Sequence, residues 1–168
     1  MNAIVVVDKN WGIGKNNDLL FNLTKDMAFF KEKTMGKVVV MGGNTLLSLP
    51  HQNPLKGRTN IVISDVFKRD DVIMAETMPE LLDILAKYNT EDLFVIGGAM
   101  LYRTLLPYCD TVYATKVDAD GGAQVFYENL DNLDNWSCVY ESEPIQDGEY
   151  TIRFTTYKNS KVKPFSEK

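Results

Sequence analysis

The sequence predicts an α/β fold: one domain with a mostly parallel, eight-stranded twisted sheet, flanking helices and an antiparallel C-terminal edge. Through residue 117, short β-branched runs alternate with helix-like segments, which is typical of parallel strands joined by helical crossovers. Beyond that point, two strand-like segments follow each other with no helix between them, which indicates an antiparallel pair. The length of 168 residues is that of a single domain.

Eight segments have the composition of strands. The first six are short apolar, β-branched runs, and the last two alternate apolar and polar residues. Asp147-Gly148 supplies the predicted turn before the last strand. The predicted strands cover residues 4–7, 38–41, 60–64, 71–74, 93–96, 111–117, 137–143 and 150–157.

Helix signals occupy four of the segments between the strands. Thr24 is the predicted N-cap of the first helix, and Thr77 with Glu80 forms a predicted capping box for the third. Pro107 ends the fourth, because proline cannot continue a helix. The predicted helices cover residues 24–33, 44–49, 77–88 and 98–106, so that residues 1–158 form the domain and residues 159–168 a polar tail.

Charge and composition argue against several classes of protein. The chain has 18 basic and 23 acidic residues and a net charge of −5, whereas a nucleic-acid groove needs a basic face. No apolar run reaches the ~20 residues of a membrane span, and one histidine with two distant cysteines offers no metal-ligand spacing. Because the chain also shows no secretory leader, we expect a protein of the reducing cytoplasm that binds no nucleic acid, membrane or metal.

A loop with two glycines follows the first strand. Its sequence, GIGKNN at residues 12–17, is similar to the start of a dinucleotide-binding loop, but the third glycine and the following helix are missing. Lys15 is not followed by Ser or Thr, so the loop is not a P-loop either. Two interpretations remain open: a plain solvent-facing loop, or a lid over a binding site.

Two strand–glycine–helix junctions predict a phosphate site. Gly42-Gly43-Asn44-Thr45 follows the second strand, and Gly97-Gly98-Ala99-Met100 follows the fifth. Small residues at a helix N-terminus, beyond the carboxyl end of a strand, leave backbone N–H groups open to phosphate. Tight packing explains either junction alone, whereas two junctions on neighbouring strands favour a diphosphate held between two helix ends.

Asp26 and Arg58 are the charged residues with the clearest candidate roles. Asp26 lies in the first turn of the first helix, four residues before Phe30, so both share one helix face. If that face packs on the sheet, the carboxylate enters an apolar cleft; otherwise it is an exposed residue favoured by the helix dipole. Arg58 precedes a predicted buried strand, and its guanidinium would suit a carboxylate, although a surface arginine fits as well.

In their order and spacing, these segments resemble dihydrofolate reductase of the bacterial chromosomal type. The similarity runs from Ala3 to about Lys158, and five blocks together make it specific. The blocks are WGIGKNNDLLF at 11–21, DMAFFK at 26–31, VMG at 40–42, GRTNIVIS at 57–64 and VIGGAMLY at 95–102.

The resemblance implies reduction of 7,8-dihydrofolate to tetrahydrofolate by hydride transfer from NADPH, with antifolates as inhibitors and a monomer as the default state. Asp26 would hydrogen-bond the 2-amino group and N3 of the pterin, and Thr115 would bond both Asp26 and the pterin. Arg58 would bind the glutamate α-carboxylate, and Phe21 would occupy the remaining catalytic position. The other implied substrate contacts are Val5, Val6, Met27, Phe30, Leu49, Leu55 and Ile96.

The resemblance also implies an NADPH site between the two glycine junctions, with the loop of residues 12–20 as its lid. It implies a cis peptide bond between Gly97 and Gly98. The implied cofactor contacts are Val6, Ile13, Gly14, Asn17, Leu19, Gly42, Gly43, Asn44, Thr45, Ile63, Ser64, Asp65, Ile96, Gly97, Gly98, Ala99, Met100, Leu101, Tyr102 and Gln124.

Among the departures from the family pattern, which include Leu20 and Thr24 where the family has prolines and the segment 123–128, four positions bear on the site. Phe21 stands where the family has a tryptophan with an N–H donor, and Gln124 can hydrogen-bond the lid but lacks the family's charge. Gly43 stands where a basic residue usually meets the 2′-phosphate of NADPH, and Asp65 adds a negative charge nearby. We therefore expect NADPH as donor with a reduced preference over NADH, and a Gly43→Arg, Asp65→Ser double change that restores the preference.

Two other functions stay open on the residues alone. A pyrimidine reductase of the riboflavin pathway shares the fold and NADPH, but it needs a phosphate site for its substrate rather than an acid–aromatic pair such as Asp26 and Phe30. A non-catalytic pterin- or nucleotide-binding module would account for the departures but would not need Asp26. Asp26, Arg58 and Thr115 together favour folate.

Overall fold

A computed structural model describes residues 1–16 and 18–165. Its strands are β1 (Asn2–Val7), β2 (Gly12–Gly14), β3 (Val38–Gly42), β4 (Thr59–Ile63), β5 (Ile73–Ala75), β6 (Leu93–Gly97), β7 (Thr111–Val117), β8 (Val125–Phe126), β9 (Trp136–Glu141), β10 (Ile145–Asp147) and β11 (Tyr150–Asn159). Its α-helices are α1 (Thr24–Thr34), α2 (Gly43–Ser48), α3 (Met78–Leu85) and α4 (Ala99–Leu105). Eight strands form the central sheet in the order β10-β11-β7-β1-β6-β3-β4-β5, with β9 also paired to β11, and β2 pairs with β8.

The sheet is parallel through its centre and antiparallel at one edge, which confirms the predicted fold class. β1 runs parallel to β6 and β7, and β3 runs parallel to β4 and β6. β11 runs antiparallel to β7, β9 and β10. Because β3 and β6 are neighbours, their carboxyl ends lie side by side at one rim of the sheet.

The eight predicted strands all occur, but the sequence does not predict β2, β8 or β10. These three have only two or three residues each, too few to show a strand period. β10 also corrects the predicted hairpin, since the turn at Gly148, with φ of 61°, joins β10 and not β9 to β11. The third helix ends at Leu85, three residues before its predicted end, and Thr77 caps it as predicted by accepting the N–H of Glu80 at 3.3 Å.

The N-cap of α1 differs from the prediction. Thr24 is the first helical residue, and the N-cap position is Leu23, whose side chain forms no capping hydrogen bond. The backbone N–H groups of Lys25 and Asp26 donate instead to one carboxylate oxygen of Asp147, at 2.9 and 3.2 Å. The cap therefore comes from the C-terminal hairpin and not from the helix's own sequence.

Apolar clusters cover both faces of the sheet. Alternate residues of β3 point to opposite faces, so that Val40 joins the largest cluster while Val39 and Met41 join a second one with Leu46 of α2. A third cluster, formed by Leu23, Val117 and Ile152 with partly buried neighbours, lies at the antiparallel edge. The central strands are thus buried on both faces, as their uninterrupted apolar sequences indicate.

The chain after β11 stays in contact with the domain. The Lys163 N–H donates to the Pro107 carbonyl oxygen at 2.9 Å, and the rings of Phe165 and Tyr108 stack with centroids 5.8 Å apart. Residues 166–168, the end of the predicted tail, lie outside the described residues. Within residues 1–16 and 18–165, no helix has the length and apolarity to cross a membrane.

Candidate active site

Aromatic packing holds α1 against the sheet. The Phe29 ring stacks on Phe154 of β11 with centroids 4.6 Å apart and meets Tyr113 of β7 edge-on at 6.2 Å. This packing brings the first turn of α1 to β7, where the Thr115 hydroxyl donates to Oδ1 of Asp26 at 2.6 Å. Thr115 is only 2% exposed and Asp26 is half-buried, so the hydrogen bond is partly shielded from water between the helix and the sheet.

The surroundings of Asp26 raise the pKa of its carboxyl above the ordinary value. Burial is the largest cause, because it disfavours the charged form, and the nearby Asp147 carboxylate adds to the rise. The hydrogen bond from Thr115 acts in the opposite direction. Asp26 is therefore a half-buried residue that faces β7, and the alternative of an exposed first-turn aspartate is wrong.

The helix face that carries Asp26 continues with Phe30 and Thr34, each four residues further on. Thr34 is buried, and its hydroxyl accepts a hydrogen bond from Nη1 of Arg58 at 3.2 Å. Nε of Arg58 donates to the Lys56 carbonyl oxygen at 2.9 Å. Since an α-helix rises 1.5 Å per residue, the levels of Asp26 and Thr34 are about 12 Å apart. A carboxylate and a guanidinium thus lie near opposite ends of one helix face.

Arg58 is free of acidic partners in the part of the chain that the structure describes, since it takes part in no ion pair there. Partial burial lowers the pKa of its guanidinium, because the charged form is less well solvated. A half-buried cation of this kind is suited to an anionic ligand.

Three of the predicted apolar contacts lie together. Leu49, Leu55 and Ile96 are partly buried and pack against the second cluster, on the α2 side of the sheet. Phe30 is half-buried on α1. The sequence prediction that these residues share an apolar lining is therefore consistent with the packing.

The other predicted substrate residues have different surroundings. Val6 pairs with Thr115 across β1 and β7, and it packs in the third cluster with Phe21. The Phe21 ring meets the Tyr150 ring edge-on, with centroids 4.8 Å apart. Val5 is buried in the largest cluster and offers only its backbone, whereas Met27 is 61% exposed.

The two glycine junctions meet at the rim, as the sequence predicts. Met41 of β3 pairs with Gly97 of β6, and the Gly97–Gly98 peptide bond is cis. Gly97 has φ of 138°, and a Cβ there would lie 3.2 Å from the hydroxyl oxygen of Thr45. A Cβ on Gly42 would lie 3.9 Å from the backbone nitrogen of Gly98. α2 and α4 begin here without capping side chains, so their first N–H groups are open to a ligand.

The sequence of the whole domain matches one known family. The family model described as dihydrofolate reductase covers residues 1–159. This chain belongs to the dihydrofolate reductase family.

Individual relatives agree over nearly the whole chain. Dihydrofolate reductase of Bacillus subtilis (strain 168) is 34% identical over 163 residues, 94% of this chain and 94% of that protein. The Haemophilus influenzae enzyme is 30% identical over 90% of this chain and 93% of its own length. Among solved structures, dihydrofolate reductase from Enterococcus faecalis, complexed with NADP(H) and RAB-propyl, superposes with a TM-score of 0.82 at 29% identity, over 94% of this chain and 95% of that one.

Two of the cofactor positions expected for a dihydrofolate reductase face the core. The Leu101 side chain is buried in the largest cluster. The Tyr102 hydroxyl donates to the carbonyl oxygen of Ile4 at 2.7 Å, and the Tyr102 backbone N–H donates to the carbonyl oxygen of Gly98 at 2.9 Å. Both side chains face the sheet, because α4 packs on it with this face, so a cofactor contact at these two positions stays a prediction for the backbone at the start of α4.

Other expected cofactor positions lie at or near the surface. Leu19 and Met100 are largely exposed, and Ile13 is half-buried against the largest cluster. Gly14 is buried in β2, where its carbonyl oxygen accepts the N–H of Gln124 at 2.8 Å. Asn17 lies outside the described residues.

The rim beyond α2 is crowded at position 43. A Cβ on Gly43 would lie 2.9 Å from the Ser64 hydroxyl oxygen and 3.0 Å from a ring carbon of Phe67. The Gly43→Arg half of the predicted double change therefore requires both Ser64 and Phe67 to move. Asp65 is exposed beside them.

Cations next to this rim are already paired. Nζ of Lys68 lies 3.0 Å from Glu76, and Nε of Arg69 donates to Asp71 at 2.9 Å. A single exposed pair such as Lys68–Glu76 is weak, so Lys68 remains able to reorient towards an anionic ligand, whereas Arg69 also bonds the second carboxylate oxygen of Asp71 and the Gln52 carbonyl oxygen.

The predicted lid, the loop that begins with β2, is attached at its base. β2 pairs with β8, and the N–H of Asn16 donates to Oε1 of Gln124 at 3.0 Å. The predicted hydrogen bond between Gln124 and this loop is thus confirmed, with Gln124 as the acceptor.

Sequence reasoning missed Asp147. Asp147-Gly148 is a common turn pair. Because the turn already accounts for Asp147, the sequence gives no reason to expect that its carboxylate also caps a helix. The carboxylate in fact lies at the N-terminus of α1, next to Asp26. The signal for such a role would be the burial of an aspartate whose charge its own turn does not need. The sequence does not show that this position is buried.

Proposed function

We propose that this protein is a dihydrofolate reductase that reduces 7,8-dihydrofolate to 5,6,7,8-tetrahydrofolate with NADPH and so supplies one-carbon metabolism. The observation that carries the proposal is the Asp26–Thr115 pair, a half-buried carboxylate held by a buried hydroxyl at 2.6 Å, in a chain that belongs to this family.

Asp26 binds and orients the pterin. The 2-amino group and N3 of the ring are adjacent N–H donors, and a carboxylate accepts two such donors with its two oxygens. Thr115 fixes the rotation of that carboxylate by donating to Oδ1. Because the carboxylate is negative, it also favours the pterin that has gained a proton at N5, and water delivers that proton.

Arg58 binds the other end of the substrate. The glutamate tail of dihydrofolate carries an α-carboxylate, which the planar guanidinium can meet with two parallel hydrogen bonds. The helix face from Asp26 to Thr34 sets the spacing between the two recognition points at about 12 Å. Phe30, Leu49, Leu55 and Ile96 line the apolar stretch between them.

The rim of β3 and β6 fits a dinucleotide. The glycines there form a surface that a side chain would fill, and two helix N-termini face it. Gly42–Thr45 and Gly97–Met100 would hold the diphosphate of NADPH, and Val6 and Ile96 the nicotinamide. NADPH bound there supplies the hydride that C6 of dihydrofolate accepts. The lid, tied to Gln124, closes over the two ligands and excludes water.

Three further assignments belong to the same proposal. Antifolates occupy the pterin cleft, since a protonated 2,4-diaminopyrimidine presents the same paired donors to Asp26. The enzyme acts as a monomer in the cytoplasm, and its two cysteines, which are free, suit a reducing compartment.

The direct test mixes the protein with dihydrofolate and NADPH and follows the loss of the reduced-cofactor absorbance band. We expect turnover that depends on both substrates and is abolished by an antifolate. A protein that binds both ligands but oxidises no NADPH would overturn the proposal in favour of a non-catalytic binding module. Turnover of a ribosylamino-pyrimidine instead of dihydrofolate would favour the riboflavin-pathway reductase.

A further inference from the structure

Asp147 is a buried acid that the proposed reaction does not use. It is the last residue of β10 and only 4% exposed. One of its carboxylate oxygens accepts the N–H groups of Lys25 and Asp26 at 2.9 and 3.2 Å, and the Lys25 ammonium donates to the Gln146 carbonyl oxygen at 2.6 Å. The tip of the C-terminal hairpin is thus bonded to the first turn of α1.

This contact replaces a local helix cap. The second and third N–H groups of a helix normally donate to the side chain of the N-cap residue. In α1 that residue is Leu23, which has no acceptor in its side chain. Asp147 supplies the acceptor from a position 122 residues further along the chain than Lys25.

The cap includes the backbone of Asp26 itself. The Asp26 N–H donates to Asp147, while the Asp26 carboxylate accepts from the Thr115 hydroxyl of β7. Asp147 therefore holds the backbone of the residue whose carboxylate faces Thr115.

Asp147 is the charged group that acts on Asp26 most strongly. Thr115 contributes a neutral hydroxyl from β7, and Tyr102 of α4, whose own pKa is raised by burial and by Asp26, is neutral as well. The ammonium of Lys25 is held on the Gln146 carbonyl oxygen. Two amide donors and the positive end of α1 contact the Asp147 carboxylate.

We propose that Asp147 is a positioning residue of this reductase, which caps α1 from the C-terminal hairpin, holds the turn of α1 that directs the Asp26 carboxylate towards Thr115 and the pterin, and places a second negative charge beside it. The importance of Asp147 for turnover rests on the proposed function, whereas its effect on the titration of Asp26 does not.

The test follows the Asp26 carboxyl carbon by NMR as the pH is varied, in the ligand-free protein. Asp147→Asn keeps an oxygen that can accept the two N–H groups but removes the charge. Because a like charge raises the pKa of a carboxyl, we expect the Asp26 midpoint in this variant to move to lower pH. Glu149→Gln, which removes an exposed charge from the same hairpin, is the matched control and should leave the midpoint in place.

Asp147→Ala, compared with Asp147→Asn, separates the effect of the cap from the effect of the charge. It removes both, so we expect a melting temperature about 2–4 °C below that of the Asn variant and a lower kcat/KM for dihydrofolate, partly recovered in Asp147→Asn. An Asp26 midpoint that is unchanged in Asp147→Asn, or that moves equally in Glu149→Gln, would overturn the proposal. That result can be read whether or not the protein reduces dihydrofolate, so it is separable from failure of the proposed function.

Discussion

The proposed pterin site under α1 and the proposed cofactor site at the rim beside α2 keep the family pattern to different degrees. Under α1, Asp26, Thr115 and Arg58 are all present and held by hydrogen bonds. At the rim, Gly43 replaces a basic residue and Asp65 adds a negative charge. The difference reflects what each end does. Groups that touch the reacting ring determine the rate, whereas the rim anchors the far end of the cofactor, where a lost contact weakens binding without stopping the reaction.

The largest effect on activity should come from Asp26→Asn, at the end of the site that keeps the family pattern. A neutral amide cannot stabilise a protonated pterin, so we expect kcat/KM at neutral pH to fall by roughly a hundredfold or more. The remaining activity should rise as the pH falls, because solvent then protonates the substrate. Measuring kcat/KM against pH checks this, and unchanged turnover at neutral pH would remove Asp26 from its role.

Asp26→Asn should also change stability, and measuring that change controls for loss of activity through unfolding. The fold raises the pKa of Asp26, with burial as the main cause, so the ionised form is less favourable in the folded than in the unfolded protein. Asp26→Asn should therefore match or exceed the wild type in free energy of unfolding at neutral pH. The difference should shrink as the pH falls through the raised pKa, where the wild type becomes neutral too. A destabilised variant at neutral pH would contradict this sign.

Next in size is Arg58→Leu, at the far end of α1. Loss of a partly buried partner of a carboxylate costs about 2 kcal/mol, or roughly thirtyfold in dissociation constant. We expect this loss for dihydrofolate but not for a pterin that lacks the glutamate tail. Lys56→Gln, which removes an exposed positive charge two residues away, is the control. Equal losses for both ligands would show that Arg58 does not meet the carboxylate.

A smaller effect is expected at the divergent rim, from Asp65→Ser. We expect the wild type to prefer NADPH over NADH only weakly, since the 2′-phosphate meets a negative side chain there. Removing that charge should raise the ratio of kcat/KM values for the two cofactors by roughly fivefold, a screened interaction of about 1 kcal/mol. Asp70→Ser, on the same exposed segment, should change the ratio less. A strong wild-type preference for NADPH would mean that Lys68 or Arg69 leaves its partner to bind the phosphate.

The smallest effect should come from Gln124→Leu, which removes the acceptor for the Asn16 N–H. An exposed hydrogen bond contributes about 1 kcal/mol, so we expect a several-fold slower hydride transfer and faster hydrogen exchange at the Asn16 amide. Gln124→Glu keeps the acceptor and adds charge, which strengthens the bond. Slower exchange at Asn16 in the Glu variant, together with faster exchange in the Leu variant, would show that this contact holds the lid.

Much of this fold can be predicted from short segments of the sequence, whereas contacts between distant segments cannot. The strands and helices that carry the site follow from apolar runs and capping residues, and the meeting of the glycine junctions follows from parallel crossovers. The cap on α1 could not be predicted, because nothing near Leu23 indicates an acceptor 122 residues beyond Lys25. The closed space at Gly43 was hidden for the same reason, since it depends on where the ring of Phe67 packs.

The cap and the catalytic pair also determine when, during folding, the site becomes complete. The Asp26–Thr115 and Lys25–Asp147 contacts join residues 89 and 122 positions apart, and β11 holds both partners because it pairs with β7 and β10. Contacts between such distant segments form slowly, since a long loop must close first. A refolding chain should therefore gain helical signal before it gains turnover. An antifolate bound at Asp26 would stabilise only molecules in which the C-terminal strand has already docked.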